Sequence, residues 1–362
     1  MTDPSTLIEQ TIARIRPLDA RACAAAAAAM DGKVKPLRSL GELEGLAARV
    51  AGIQASQAPR VERPAVVVCA ADHGIAASGV SAYPQEVTGL MLQGFAAGTA
   101  AVGVLARAAG ARLVVADLGV LTPPQIAPGQ NEVLDRRVRP GTGNSLEGPA
   151  MTRVQAERAV AHGICLATML IDEGSDLVGL GEMGIGNTTT ASALTAALLD
   201  RDPARVTGPG TGLDGEALTA KVAAVDGVLR RHADVDRDDP VGVLAAMGGL
   251  EIAALAGVVL GCAVRRVPVL LDGFITTAAA LVASRLAPSS VDAMIAGTLS
   301  PEPGHAVQLE ALGLDPVLRL GMRLGEGSGA ALAIPVVRAA VALLTDMGSF
   351  AALGLAQDEP TA

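Results

Sequence analysis

The chain's strongest chemical signal is a carboxylate between glycines, in the run Arg323-Leu324-Gly325-Glu326-Gly327-Ser328-Gly329. Glycine adds chain entropy and no packing, so it is a costly surround for a structural carboxylate, yet it lets a ligand approach closely. In a dry, apolar site the pKa of Glu326 would rise into the range of a general base, with Gly325 beside the ligand. The other reading is a surface turn with Glu326 near a helix N-terminus, which the helix dipole also favours. These residues alone leave both open.

Two further glycine runs suit an anion. In Gly181-Glu182-Met183-Gly184-Ile185-Gly186-Asn187-Thr188-Thr189 a strand leads into tight turns, and Asn187 or Thr188 is expected to cap a helix over 189–199. Free N–H groups at that helix start make an anion site. The run lacks the third glycine of the dinucleotide fingerprint and the GK[ST] of a P-loop, and a capped turn without ligand is the alternative. In Gly208-Pro209-Gly210-Thr211-Gly212-Leu213-Asp214, Gly210 and Gly212 open the loop, and Lys221 follows on a helical stretch. Such a loop and cation suit a phosphate; a solvated lysine beside an ordinary loop is the bland reading.

Smaller signals flank these. Ser81, Tyr83 and Gln85 lie in a glycine- and proline-containing loop that carries the chain's one tyrosine and suits a flat-ring pocket. Asp72 and His73 are either an acid/base pair or a hydrogen-bonded structural pair. Ser300-Pro301-Glu302-Pro303-Gly304-His305 is a rigid loop whose Ser300 and His305 suit orienting a polar substituent. The four histidines are dispersed, with no HExxH, so no metal is expected. A ribosyl pyrophosphate normally needs Mg²⁺, whereas a single phosphate can be held by N–H groups and a lysine.

Parallel strands are the elements expected to position these loops. Apolar runs at 65–70, 113–116, 177–180, 267–271 and 293–299 each end in small or polar residues and precede alanine-rich helical stretches. Apolar on both faces, they predict an α/β fold with a Rossmann-like parallel sheet wound by helices, ligands sitting beyond the strands' carboxyl ends. Residues 1–60 read as a helical appendage with helices at 7–15, 20–30 and 42–51, packing with C-terminal helices into a smaller helical domain. Residues 61–330 form the catalytic α/β domain and 331–362 a C-terminal helix, expected over 330–344, and tail. Disorder is expected only after Gln357 and over 230–239.

Composition narrows the function. The net charge of −9, without a basic block, excludes nucleic acid and membrane surfaces as partners. Residues 241–264 are apolar enough to span a bilayer, but Glu251 would cost ~2.5–3.5 kcal/mol there, and a buried helix or helix pair fits better. Residues 1–19 lack the apolar core of a signal peptide. Cys23, Cys69, Cys165 and Cys262 form no CxxC pair and read as reduced thiols in a cytoplasmic protein.

Taken in order, Ala71-Asp72-His73-Gly74-Ile75, the run 181–189, Gly248-Gly249-Leu250-Glu251-Ile252-Ala253 and Leu324-Gly325-Glu326-Gly327-Ser328-Gly329 resemble the nicotinate-nucleotide:dimethylbenzimidazole phosphoribosyltransferase family, over roughly 7–347. The resemblance implies transfer of phosphoribose from nicotinate mononucleotide to 5,6-dimethylbenzimidazole, giving α-ribazole 5′-phosphate for the cobalamin lower ligand, without a cofactor. It implies that Glu326 takes the benzimidazole proton and that Glu182 assists at the ribose. Gly184, Gly186, Asn187, Thr188, Gly210, Gly212 and Lys221 then look like the phosphate-binding region, and Ser81, Tyr83 and Gln85 like the benzimidazole pocket. A homodimer with a pocket closed by its neighbour is also implied, and Gly257-x-x-x-Gly261 permits close helix packing. One departure is Pro209, where the family's loop carries arginine. The alternatives are the same donor with a different azole or phenolic acceptor, or a non-catalytic nucleotide sensor, against which Glu326 between its glycines argues.

Overall fold

The computed structural model of the chain describes residues 3–123, 125–127 and 130–354, so the expected disorder after Gln357 lies outside the described residues. Strand β1 (Pro64–Ala71) is buried along its whole length, as a continuous run of small and β-branched side chains requires. The others are β2 (Arg112–Gly119), β3 (Val133–Asp135), β4 (Leu177–Met183), β5 (Val269–Leu271) and β6 (Met294–Ala296). All neighbours pair in parallel, in the order β3-β2-β1-β4-β5-β6. This is the Rossmann order, and its reversal between β1 and β4 opens a crevice at the strands' carboxyl ends.

The sequence did not announce β3, a three-residue, partly exposed edge strand ending in Asp135. The run 293–299 yields a shorter strand than expected because the chain past Ala296 pairs with Leu318 on the open edge, Leu318 donating to the Gly297 carbonyl and Leu299 to the Leu318 carbonyl. That second backbone ladder covers the sheet's margin.

Helices pack on both faces. The apolar stretch 241–264 is two helices, Pro240–Met247 and Leu250–Val264, broken at Gly248-Gly249 and buried inside the domain. Gly257 faces Arg153–Asp172 so closely that a Cβ there would strike the Val160 carbonyl, and Gly163 meets Ala254 in the same way. The Gly257-x-x-x-Gly261 spacing is therefore consumed within the chain, not at a subunit interface.

The first helices are Pro4–Ile12, Ala20–Asp31 and Glu42–Gln54. The latter two bury Ala26, Met30, Ala47, Ala48 and Ala51 against Ala340 and Leu344 of the long helix Ser328–Asp346. The start of that long helix packs in the main core instead, through Ala330, Ala331 and Ile334, so it joins the N-terminal helices to the sheet. Residues 230–239, expected to be disordered, form a built turn: His232 Nε2 bonds the Ser145 carbonyl at 2.9 Å and Arg237 donates to the His232 carbonyl at 3.2 Å.

Candidate active site

Beyond the carboxyl ends of β4, β5 and β6 lies a cavity of about 700 Å³, and Glu326 is in its wall. Glu326 is buried, at 7% exposure, which removes the surface-turn reading. Gly325, Glu326 and Gly327 all have positive φ, at 79°, 65° and 87°. For a glutamate this is a strained backbone of the kind held only where the surroundings over-determine it. The turn is pinned on one side by Ser328, whose N–H and Oγ both donate to the Gly325 carbonyl at 3.0 and 2.7 Å. On the other side the Gly327 N–H donates to Asp272 Oδ2 at 3.1 Å. Gly181 in β4 lets the turn approach the sheet, since a Cβ there would collide with the Glu326 carbonyl.

Three buried carboxylates meet here. Glu182, at the end of β4, accepts a short hydrogen bond from Asn187 Nδ2, and its other oxygen lies against Gly325, where a side chain would clash. Burial pushes its pKa up to about 8, with the charges of Asp272, Glu251 and Glu326 adding to the rise and the Asn187 bond opposing it. Burial, then the Asp272 charge, raises Glu326 to about 7. Asp272 itself is raised by burial to about 6 against the pull of three backbone N–H donors. Among the described residues, Glu326 Oε2 is buried without a hydrogen-bond partner, and a carboxylate in that state is available to a ligand proton.

A glycine loop forms another side. Gly210 donates its N–H to Glu302 Oε1 at 2.9 Å and its carbonyl faces Arg323 Nη1 at 3.5 Å. Lys221, on the helix Gly215–Arg231, is 1% exposed, so it is not a solvated surface lysine. Its ammonium donates to Thr188 Oγ1 and the Gly208 carbonyl, both at 2.9 Å, directly behind Gly210. Burial lowers its pKa to about 8, opposed by the Glu302 charge.

Of the residues singled out in the sequence, Glu326, Glu182, Tyr83, Gly184, Asn187, Thr188, Gly210, Ser300 and Gly325 line the one cavity. Ser81, Gln85, Gly186 and Lys221 stand behind the wall, and Gly212 lies exposed at the outside of the glycine loop. Ser81 Oγ bonds Thr211 Oγ1 at 3.2 Å, and Gln85 Nε2 donates to the His73 carbonyl at 3.0 Å, so both brace the rim loop. Gly186, at φ 96°, is itself the N-cap of the helix Asn187–Leu199. The expected cap by Asn187 or Thr188 is not observed, because Asn187 turns to Glu182 and Thr188 to Lys221.

The Asp72–His73 pair does not form. His73 Nε2 bonds Glu251 Oε1 at 2.7 Å and Nδ1 bonds Thr190 Oγ1 at 3.0 Å, while Asp72 Oδ2 accepts from the Leu121 N–H at 2.7 Å. His305 does not face the ligand space either: it is buried, accepts from the Ser300 N–H at 2.9 Å and bonds Thr277 at 3.0 Å, and so holds the Ser300 loop in shape. The sequence placed Asp272-Gly273 at the mouth and Arg323 in the Glu326 run without giving either a role, and it did not reveal the apolar wall of Val87, Met91, Ile185 and Met322. Asp272 carried a usable signal, an Asp-Gly at the carboxyl end of a strand.

The phosphoribosyltransferase family model matches residues 15–354. The nicotinate-nucleotide–dimethylbenzimidazole phosphoribosyltransferase of Chloroflexus aurantiacus is 49% identical over 351 residues, covering 97% of this chain and 99% of its own. The chain belongs to this family. Its relative of the same name in Salinispora tropica is 47% identical over 363 residues, covering 97% of this chain and 100% of its own. The crystal structure of CobT from Thermus thermophilus superposes with a TM-score of 0.88 at 47% identity, over 93% of this chain and 100% of that one. Membership in the phosphoribosyltransferase family thus extends over both the sheet and the helices at the chain ends. Among the described residues, no group of three or more His, Cys, Asp or Glu side chains is arranged to hold a metal ion.

Proposed function

We propose that this chain transfers the phosphoribosyl group of nicotinate mononucleotide to 5,6-dimethylbenzimidazole, giving α-ribazole 5′-phosphate and nicotinate. The observation that carries the reading is Glu326: a buried carboxylate with an unpartnered oxygen, raised to about 7, in the wall of a cavity large enough for two flat rings. A close family relationship supports the same reaction.

One ring nitrogen of the acceptor attacks the anomeric carbon while its other nitrogen gives its proton to Glu326. The bond from the anomeric carbon to the pyridinium nitrogen breaks, and its electron pair neutralises the ring, so nicotinate leaves without help from an acid. Attack opposite the leaving group inverts β to α. Glu182, its pKa raised to about 8 by burial, hydrogen-bonds a ribose hydroxyl. The phosphate lies at the Gly208–Gly212 loop, with Lys221 and Arg323 supplying positive charge there. The reaction asks chiefly for orientation and a proton acceptor, which a preformed cavity and a pinned loop can give.

Exposed Tyr83 and Leu324 at the cavity mouth, with Leu90 on the adjoining helix, support a homodimer whose second subunit closes the mouth. The free cysteines fit a reducing cytoplasm. The purified protein, with both substrates and a chelator, should release nicotinate in step with α-ribazole 5′-phosphate, followed by chromatography. Release only with other azoles or phenols would shift the acceptor class, and no release with any acceptor would overturn the reading.

A further inference from the structure

We propose that Asp272 is a positioning residue for the base, holding the Gly325–Gly327 turn so that Glu326 presents its carboxyl group to the cavity. The inference rests on the reading of Glu326 given above.

The helix Ser328–Asp346 begins after Gly327, which has no side chain to cap it. The N–H groups that an N-cap side chain ordinarily takes, those of the second and third helical residues, belong to Gly329 and Ala330. Both donate to Asp272 Oδ1, at 2.5 and 2.9 Å, while the Gly327 N–H donates to Oδ2. A residue 57 positions earlier in the chain thus supplies the cap. Its reach extends past the helix to Gly327, the neighbour of Glu326.

Asp272 is itself anchored. Its N–H donates to Thr276 Oγ1 at 3.0 Å and its carbonyl accepts from Thr298 Oγ1 at 2.8 Å. Gly329 is required beside it, since a Cβ there would come within 2.8 Å of Asp272 Oδ1 and 2.6 Å of Thr298. With Ser328 holding the Gly325 carbonyl, the strained Glu326 backbone is gripped on both sides. Only the Asp272 grip carries charge, and that charge opposes ionisation of Glu326. The other charged groups around the cavity are Glu182 from β4, Arg323 from the turn itself, and Glu302 from the loop that follows β6, with Lys221 behind Gly210 and Glu251 behind Glu182.

Asp272→Asn keeps an oxygen for Gly329 and Ala330 but turns an amide N–H₂ toward the Gly327 N–H and removes the charge. The expected result is a fall in kcat of about 10- to 100-fold from misplacement of the base, with KM for nicotinate mononucleotide nearly unchanged. The acid limb of the kcat profile should also move to lower pH by roughly half a unit or more. Ser328→Ala removes an uncharged grip, so it should lower kcat and leave the limb in place. Should Asp272→Asn not fold, the ¹⁵N amide resonances of Gly329 and Ala330 in the unaltered protein report the same relationship, and should show, besides the step from Asp272 itself, a second step at the pH of the acid limb. Unchanged kcat and limb in Asp272→Asn, or amide resonances without that second step, would overturn the inference while leaving Glu326 as base. If Glu326→Gln retains full turnover, the base reading fails first and this inference with it.

Discussion

Lys221 Nζ lies 2.9 Å from Thr188 Oγ1, joining the helix Gly215–Arg231 to the first turn of Asn187–Leu199 behind Gly210. The ammonium therefore sits behind the glycine loop and not in the cavity wall. Lys221→Met keeps most of the volume and removes the charge. By removing the charge and the two bonds that hold the loop from behind, it should weaken binding of nicotinate mononucleotide by about tenfold and change saturated turnover less. Calorimetric titration measures this, and an unchanged Kd would contradict the placement of the phosphate.

The pH dependence of turnover follows from Glu326. A base raised to about 7 is protonated below that pH, so kcat should fall as pH drops through 7, approaching tenfold per unit. A profile flat from pH 8 down to pH 5 would show that the ionisation of Glu326 does not govern the rate.

Stability should run the opposite way. Glu326 has a folded pKa of about 7 against an ordinary value of 4.5, so between those values the folded state binds the proton more tightly than the unfolded state. The buried carboxylate therefore costs stability progressively as pH rises from about 4.5 to 7, by up to ~3 kcal/mol. Glu326→Gln removes that cost. Its Tm should exceed that of the unaltered protein by roughly 2–5 °C at pH 8, with the difference shrinking toward pH 4.5. Thermal melts at the two pH values decide it, and equal Tm at pH 8 would contradict the burial argument.

Gly325→Ala tests the crowding of the two carboxylates. An alanine there meets both a φ of 79° and the Glu182 oxygen packed against the glycine. Strain of this kind costs about 1–3 kcal/mol, and displacing Glu182 or the turn should also depress kcat. Retention of full activity and full stability would show that the contact is slack.

The sheet was legible because burial on both faces writes itself into the chain as unbroken apolar runs such as Ala65–Val68, whereas β3, short and half-exposed, leaves no such trace. Glu326 was legible because glycine on each side of a carboxylate is a local pattern. Its burial was not, since that depends on β4 and on Asp272 arriving from elsewhere in the chain. For the same reason His73 was paired with its neighbour Asp72 in sequence, although its partners are Glu251 and Thr190, from two helices that the fold brings over the end of β1. Lys221 shows the limit from the other side: its spacing suggested the loop, but only the packing of its helix shows that the ammonium is sealed behind Gly210.

Single-turnover release of nicotinate by Glu326→Gln, with dimethylbenzimidazole as acceptor, tests the central assignment most directly. Loss of a general base should slow that step by about 10²–10⁴-fold, while the Kd for nicotinate mononucleotide, measured on the same preparation, stays close to that of the unaltered protein. Release at a rate within tenfold of the unaltered protein, or a collapse of nucleotide binding with turnover per bound complex intact, would contradict Glu326 as the base.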